Sequence, residues 1–348
     1  MTSTGRTVFV LGAGFTRAFV PDSPVMNDHW NLSNIQRSIQ GLSFARNIIK
    51  FQQKSEGRVD IERLMTRLHN GMPYDADMFI DKEVAFLYPQ VKNCLRDRIE
   101  TAKKGKIFRD DLNALAEYCV NNNITCITFN YDDVFDEALY SRTKSKGIYW
   151  SPDQGYGFFC KPSASCVWDA AYFADKTAME LLKLHGSINW YPKRGYSHPY
   201  ALETIVHHER WFRYPSPTEY PMELIERLLE KTPFIVPPVL EKSALLEQPI
   251  LRLIWTRAYE ALMKAEEIIF IGYSLSATDS AAHFLFRETI KKGTPIKVVN
   301  HINNIKEQKV LRNAYQYVFT RRKNIQFEFM DAREWSREVV KKSKIKQV

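Results

Sequence analysis

Short β-branched and apolar runs punctuate the chain at residues 8–11, 124–129, 181–184, 234–236, 268–271 and 296–299, and each reads as a buried strand. A further run, 325–330, supplies a last strand. Helical periodicity fills the spaces between them. Leu112, Leu115, Ala116 and Cys119 recur at the spacing of one helix face just before the second strand, and Ala258, Ala261, Leu262 and Ala265 do so before residue 268. Residues 278–292 open on a Thr-Asp cap signal and stop at Gly293, as a helix should. Strands alternating with helices predict an α/β protein with a mainly parallel sheet.

The connections are uneven. More than a hundred residues separate the first two strands, and most of them carry helical patterns at 34–53, 59–68 and 81–103, with Pro89 expected to kink the last. Such a span is too long for a simple crossover. It predicts a helical insertion over residues 24–110 that covers the ligand crevice. A second region, 190–232, is rich in aromatics, prolines and histidines and fits no regular element. The economical expectation is a single domain over residues 1–348, with a Rossmann-like core and these two insertions.

Composition narrows the function classes. The chain of 348 residues is 45% hydrophobic and 26% charged, the balance of a globular protein. No apolar run reaches bilayer length and the first residues lack a signal-peptide layout, so a cytoplasmic protein is expected, with no membrane partner. The five cysteines (94, 119, 126, 160 and 166) are scattered and form no CxxC pair, which speaks against a disulfide framework or a zinc ribbon. The net charge of +9 owes much to residues 321–323 and 341–346, more typical of a solvated tail than of a specific surface, so direct nucleic-acid binding is not expected.

Candidate chemistry gathers at the strand ends. The first strand runs into Gly12-Ala13-Gly14-Phe15-Thr16, a tight glycine turn before a helix start, where a backbone can approach a pyrophosphate closely. Position 17 is Arg instead of the third glycine of the dehydrogenase fingerprint, which disfavours a dehydrogenase. The second strand ends in Asn130-Tyr131-Asp132-Asp133, the third in His185-Gly186-Ser187, the fifth in Gly272-Tyr273-Ser274 and the sixth in Asn300. Each such residue has an ordinary role available: an Asx-turn for Asn130, a helix cap for Asp132 or Asp133, a structural role for His185, and chain reversal at Gly272. Their shared position at the carboxyl edge of one sheet, where open α/β sheets bind ligands, favours a site.

The set GAGFT, TFNYD, KLHGSI, GYSL and VN, in that order, resembles the sirtuin superfamily. With the long helical insert and the Ile235-Val236-Pro237-Pro238 stretch, the chain is most similar to bacterial sirtuin-like NAD hydrolases of antiphage defence. The resemblance implies NAD+ as substrate, with Gly12, Ala13, Gly14, Phe15 and Thr16 cradling its phosphates. It also implies Asn130 near the nicotinamide-side ribose, Asp132 beside it, His185 as the catalytic histidine, Gly272 and Ser274 (with Tyr273 between them) at phosphate or ribose, and Asn300 at the adenosine end. Asp132 or Asp133 would orient Asn130 or add negative potential beside a developing cation. Activation by homo-oligomerisation, or by a partner such as a DNA-translocating ATPase or an argonaute-type protein, is implied as well. Two features depart from the family. Between His185 and Gly272 there is no cysteine, whereas protein-deacylating sirtuins carry a four-cysteine zinc module there; and only Val20-Pro21-Asp22-Ser23 remains of the usual acidic-aromatic-arginine stretch. Water as acceptor, no metal, and ADP-ribose with nicotinamide as products are therefore expected; the alternatives are a zinc-less deacylase or ADP-ribosyltransferase, or a non-catalytic NAD or ADP-ribose sensor.

Overall fold

Strand alternation sorts the core into two faces. In the computed structural model Phe9 and Ile269 lie side by side in register, as do Val10 and Phe270, so each pair points to one side of the sheet. Phe9 meets Trp335 edge-on, whereas Phe270 meets Phe286 and Tyr315. The helices bearing these partners therefore cover opposite faces, giving three layers. The structure describes residues 6–25, 28, 47, 49–50, 60–69, 78–143, 150–158, 161–162, 179–192, 205–207, 233–239, 248–276, 278–320 and 324–345.

The elements in chain order are β1 (Thr7–Leu11), α1 (Ala13–Phe19), α2 (Ile61–His69), α3 (Met78–Lys103), α4 (Arg109–Asn121), β2 (Thr125–Thr128), α5 (Val134–Thr143), α6 (Pro152–Gly155) and β3 (Lys161–Pro162). They continue as β4 (Leu181–Lys183), β5 (Trp190–Pro192), β6 (Ile205–His207), α7 (Pro249–Met263), β7 (Glu267–Ile271), α8 (Ser280–Thr289), β8 (Ile296–Val299), α9 (Ile305–Val318), β9 (Ile325–Glu328) and α10 (Ala332–Ile345). Six strands form the main sheet in the order β4-β2-β1-β7-β8-β9, and every neighbouring pair is parallel. The order runs outward from β1 in both directions, so the sheet is Rossmann-like and doubly wound, with its switch point between β1 and β7.

The predicted helix faces are the buried ones: Leu112, Leu115, Ala116 and Cys119 on α4, and Ala258 and Leu262 on α7. Of the long connection after β1, α2 and α3 are described and are helical, and α3 continues as helix through Pro89. The predicted helix at 34–53 lies almost wholly outside the described residues. Two expectations are corrected. Residues 234–236 form no strand; Ile235 makes only a single bridge to Gly186, because the chain there caps the β4 end instead of entering the sheet. Within 190–232, β5 and β6 pair antiparallel and join β3 in a small second sheet, a pattern masked in the sequence by proline and histidine. The remainder of that region is outside the described residues.

Candidate active site at the carboxyl edge of the sheet

One register row sets the site. Lys183, Thr128, Leu11, Ile271, Val299 and Glu328 lie side by side across the sheet as the last residues of its six strands. The candidate residues of the five motifs begin one or two residues past this row, at Gly12, Asn130, His185, Gly272 and Asn300. Asn130 and His185 each stand two residues beyond it on adjacent strands. Phe129, between Thr128 and Asn130, meets the His185 ring edge-on at 5.2 Å.

At the switch point the two glycine turns lock into each other. Gly12 N–H donates to the Ile271 carbonyl, Gly14 N–H to the Gly272 carbonyl, and Phe15 N–H back to the Gly12 carbonyl. A Cβ on Gly12 would lie 2.6 Å from the Gly272 oxygen; one on Gly272, whose φ is +62°, would lie 2.0 Å from the Phe15 nitrogen. These glycines are required first by the contact of two backbones, and three amides of the turn are engaged within the protein. Gly272→Ala meets both a left-handed backbone and a backbone clash. It is expected to lower stability by about 2–4 kcal/mol, read by chemical denaturation, with Gly293→Ala, which has nothing within 4 Å, as the benign comparison.

Asn130 is held by a chain of hydrogen bonds. Its Nδ2 donates to the Gly12 carbonyl and to Thr16 Oγ1, both at 2.9 Å, and Thr16 Oγ1 donates to Asp132 Oδ2 at 2.7 Å. The Gly12 carbonyl can only accept, so the amide nitrogen faces it, both amide hydrogens are committed, and Oδ1 is left as the acceptor aimed elsewhere. Asp132 Oδ1 accepts the Val134 N–H, as the anticipated cap at the start of α5. Burial pushes the Asp132 carboxyl above its ordinary value, against the pull of Lys183 and the Thr16 hydroxyl.

Asp133 goes elsewhere: it is fully buried and ion-paired at 2.5 Å to Lys103, the last residue of α3. It anchors the insertion to the loop that carries Asn130 instead of lining the crevice with it. Behind the loop, the fully buried Lys183 donates to the Asp132 carbonyl and lies 3.2 Å from both oxygens of Asp136, which also accepts from Tyr156 Oη at 2.6 Å. Burial raises the Asp136 carboxyl from 3.8 to about 6, with Lys183 pulling the other way.

His185 sits in an aromatic cage. Besides Phe129, Tyr131 and Trp255 approach its ring at 6.4 and 6.5 Å, and Trp255 Nε1 donates to the Leu184 carbonyl at 2.9 Å. The backbone turn is fixed by Gly186, whose φ is +75° and whose Cβ would lie 2.2 Å from the Phe234 carbonyl. Val236 N–H donates to the His185 carbonyl, and Tyr131 Oη to the Val236 carbonyl, so residues 234–236 brace the histidine loop. Tyr273 turns inward, stacks on Phe129 at 4.7 Å, and is too buried to offer a broad ligand surface. Asn300 Nδ2 donates to the Tyr273 carbonyl at 3.4 Å, which ties the last predicted loop to the same edge. The structure thus gathers Gly12, Gly14, Thr16, Asn130, Asp132, His185, Gly272, Tyr273 and Asn300 around the switch point. Ser274 belongs to the same loop after β7.

Sequence reasoning missed Trp255, Tyr131 and Asp279. Trp255 reads as one more apolar position of α7, and Asp279 as an ordinary helix cap; their partners are remote in the chain, so no local signal marked them. Among the described residues no group of three or more His, Cys, Asp or Glu side chains could hold a metal ion. No helix of the described residues is long and apolar enough to cross a membrane. The recess lined by Glu267, Lys297 and Gln326 opens at the opposite, amino edge of the sheet, away from these loops.

No family model matches the chain, and no curated protein matches it. Solved structures similar to it include a complex of a Sir2 homologue with NAD, at 14% identity and a TM-score of 0.47, over 99% of this chain and 91% of that one. A structure described as bearing on the mechanism and regulation of Sir2 enzymes is similar at 14% identity and a TM-score of 0.44, over 99% of this chain and 94% of that one. Sir2 bound to an acetylated peptide follows at 14% and 0.40, over 98% and 94%. These likenesses are distant, and the class assigned here, a Rossmann-like α/β protein, is defined by its own strand order.

Proposed function

We propose that this chain is an NAD+ glycohydrolase that releases nicotinamide and leaves ADP-ribose. The observation that carries the reading is the placement of Asn130 and His185, each two residues past the same register row, at the carboxyl edge beside the switch point. The diphosphate is assigned to the crevice between the β1 and β7 loops because it lies at that switch point; the glycine amides alone do not argue for it, since three amides of the turn are already bonded.

Cleavage of an N-glycosidic bond leaves positive charge on the ribose C1′, as in glycosidases, and nicotinamide departs with the bonding electron pair as a neutral molecule. Asn130 Oδ1, its amide hydrogens committed, accepts a hydrogen bond from water or a ribose hydroxyl and orients it. His185 takes the proton as the water oxygen bonds to C1′, then releases it to solvent. Thr16 and Asp132 act through Asn130, as positioning residues. The absence of cysteine between His185 and Gly272 supports water over an acyl-lysine as acceptor.

Continuous loss of NAD+ would kill the cell that makes the enzyme, so we assign it to antiphage defence, gated by self-assembly or by a partner protein. The insertion is the gate's natural handle. Lys103 grips Asp133 on the Asn130 loop, and Glu62 of α2 accepts from Thr278 Oγ1 at 2.8 Å on the loop after β7.

Thr16→Val tests the positioning chain. It keeps the side-chain shape but strands one Asn130 hydrogen and one Asp132 oxygen, at a cost of about 1–3 kcal/mol. Nicotinamide release, followed by chromatography, is expected to fall roughly tenfold or more as Asn130 loses its fixed orientation. Activity equal to wild type would remove Thr16 from the site.

A further inference from the structure

We infer that Asp279 is the positioning residue of His185, the buried carboxylate that orients its imidazole and stabilises the cation formed when it accepts a proton. This rests on the role given to His185 above.

Asp279 stands at the N-cap of α8, where an aspartate ordinarily accepts an N–H of the first helical turn. Here its side chain makes no capping hydrogen bond. Its Oδ2 lies instead 3.7 Å from His185 Nε2, with both side chains more than nine-tenths buried. That distance is an ion-pair contact, longer than a hydrogen bond. A carboxylate at that range stabilises a protonated ring relative to a neutral one, against the desolvation that burial imposes on the cation. Burying a carboxylate costs stability unless it is paired, and His185 is a cation-forming group within ion-pair range of it.

The loop is built to hold this position. Leu275 adopts a left-handed φ of +55°, Asp279 N–H donates to the Ser276 carbonyl, and Ser276 Oγ lies 2.8 Å from Thr278 Oγ1. Thr278 is tied in turn to Glu62. The rings of Phe129, Tyr131 and Trp255 confine the imidazole, leaving the carboxylate to orient its nitrogen edge. Burial, with a further contribution from Asp279, raises the Tyr273 hydroxyl well above its ordinary value. The titratable groups facing His185 include Asp279 from the start of α8 and Tyr131 from the loop after β2, with Tyr273 one ring further. The arrangement pairs a general base with an orienting acid, a logic that recurs on unrelated folds.

The test uses the full chain labelled at its histidine ring nitrogens. The His185 resonance, one of eight histidines, is assigned by its loss in His185→Gln. Asp279→Asn keeps a good capping residue and removes only the charge. Its His185 titration midpoint is expected to move down by about one pH unit or more, and Asp279→Glu to restore most of the shift. In NAD+ turnover, kcat is expected to fall roughly tenfold or more with KM unchanged, and the acidic limb of the kcat/KM profile to move the same way. A midpoint unmoved in Asp279→Asn, with the variant folded by circular dichroism, overturns the pairing even if NAD+ is cleaved. A moved midpoint in a protein that leaves NAD+ intact supports the pairing and removes the hydrolase reading instead.

Discussion

His185→Ala will lower nicotinamide release from NAD+ by about 100- to 10,000-fold, the range general acid–base groups contribute, and Asn130→Ala by about 100-fold through lost orientation, while the chain still folds. Asn130 is only part-buried, and its bonds to Gly12 and Thr16 sit at the rim of the sheet, outside the core. His185 is buried, but the aromatic cage around it and the Val236-to-His185 backbone bond persist without the imidazole. Circular dichroism and nicotinamide quantitation on the same preparations check both halves. A folded His185→Ala protein with near wild-type turnover would remove the histidine from the mechanism.

The largest effect on stability is expected from Lys183→Met. Lys183 and Asp136 are each almost wholly buried, and removing the ammonium takes from Asp136 the cation it is paired with while leaving it the Tyr156 hydroxyl. Losing one partner of a buried pair costs about 3–5 kcal/mol, read by urea denaturation. The pH dependence has a definite sign. In the wild-type protein Asp136 binds its proton more tightly folded than unfolded, so stability falls as pH rises from 3.8 to about 6. Without Lys183 the carboxyl stays protonated to higher pH, and the neutral acid needs no cation. The loss relative to wild type is therefore expected to be smaller at pH 5 than at pH 8. An equal loss at both would show that the pair is not what Lys183 contributes.

The sheet was legible because its strands are short apolar runs closed by polar residues, and the parallel register then forces the five motifs onto one edge. Asn130 and His185 could be selected because each directly follows an apolar run, 124–129 and 181–184, at the edge where the other polar strand ends gather. Sequence could not divide labour between Asp132 and Asp133. The two are adjacent and chemically equal, and only the arrival of Lys103 from α3 draws Asp133 away from the crevice. Nor could it assign Gly12 and Gly272 to each other, since an approach of two backbones 260 residues apart leaves no local pattern. Residues 234–236 had the composition of a strand, but Phe234 and Val236 spend their backbone groups bracing the His185 turn. Asp279 carried a true cap signal that the fold redirects to His185.

The most direct measurement incubates the purified full chain with NAD+, with and without an acetyl-lysine peptide, and quantifies nicotinamide, ADP-ribose and acetyl-ADP-ribose by mass spectrometry. It is run over a concentration series that permits self-assembly, and again with the product of the neighbouring gene. The account predicts nicotinamide and ADP-ribose in equal amounts, unaffected by the peptide and lost in His185→Ala. Nicotinamide released only when the peptide is present, or NAD+ bound but left intact under every condition, would contradict it.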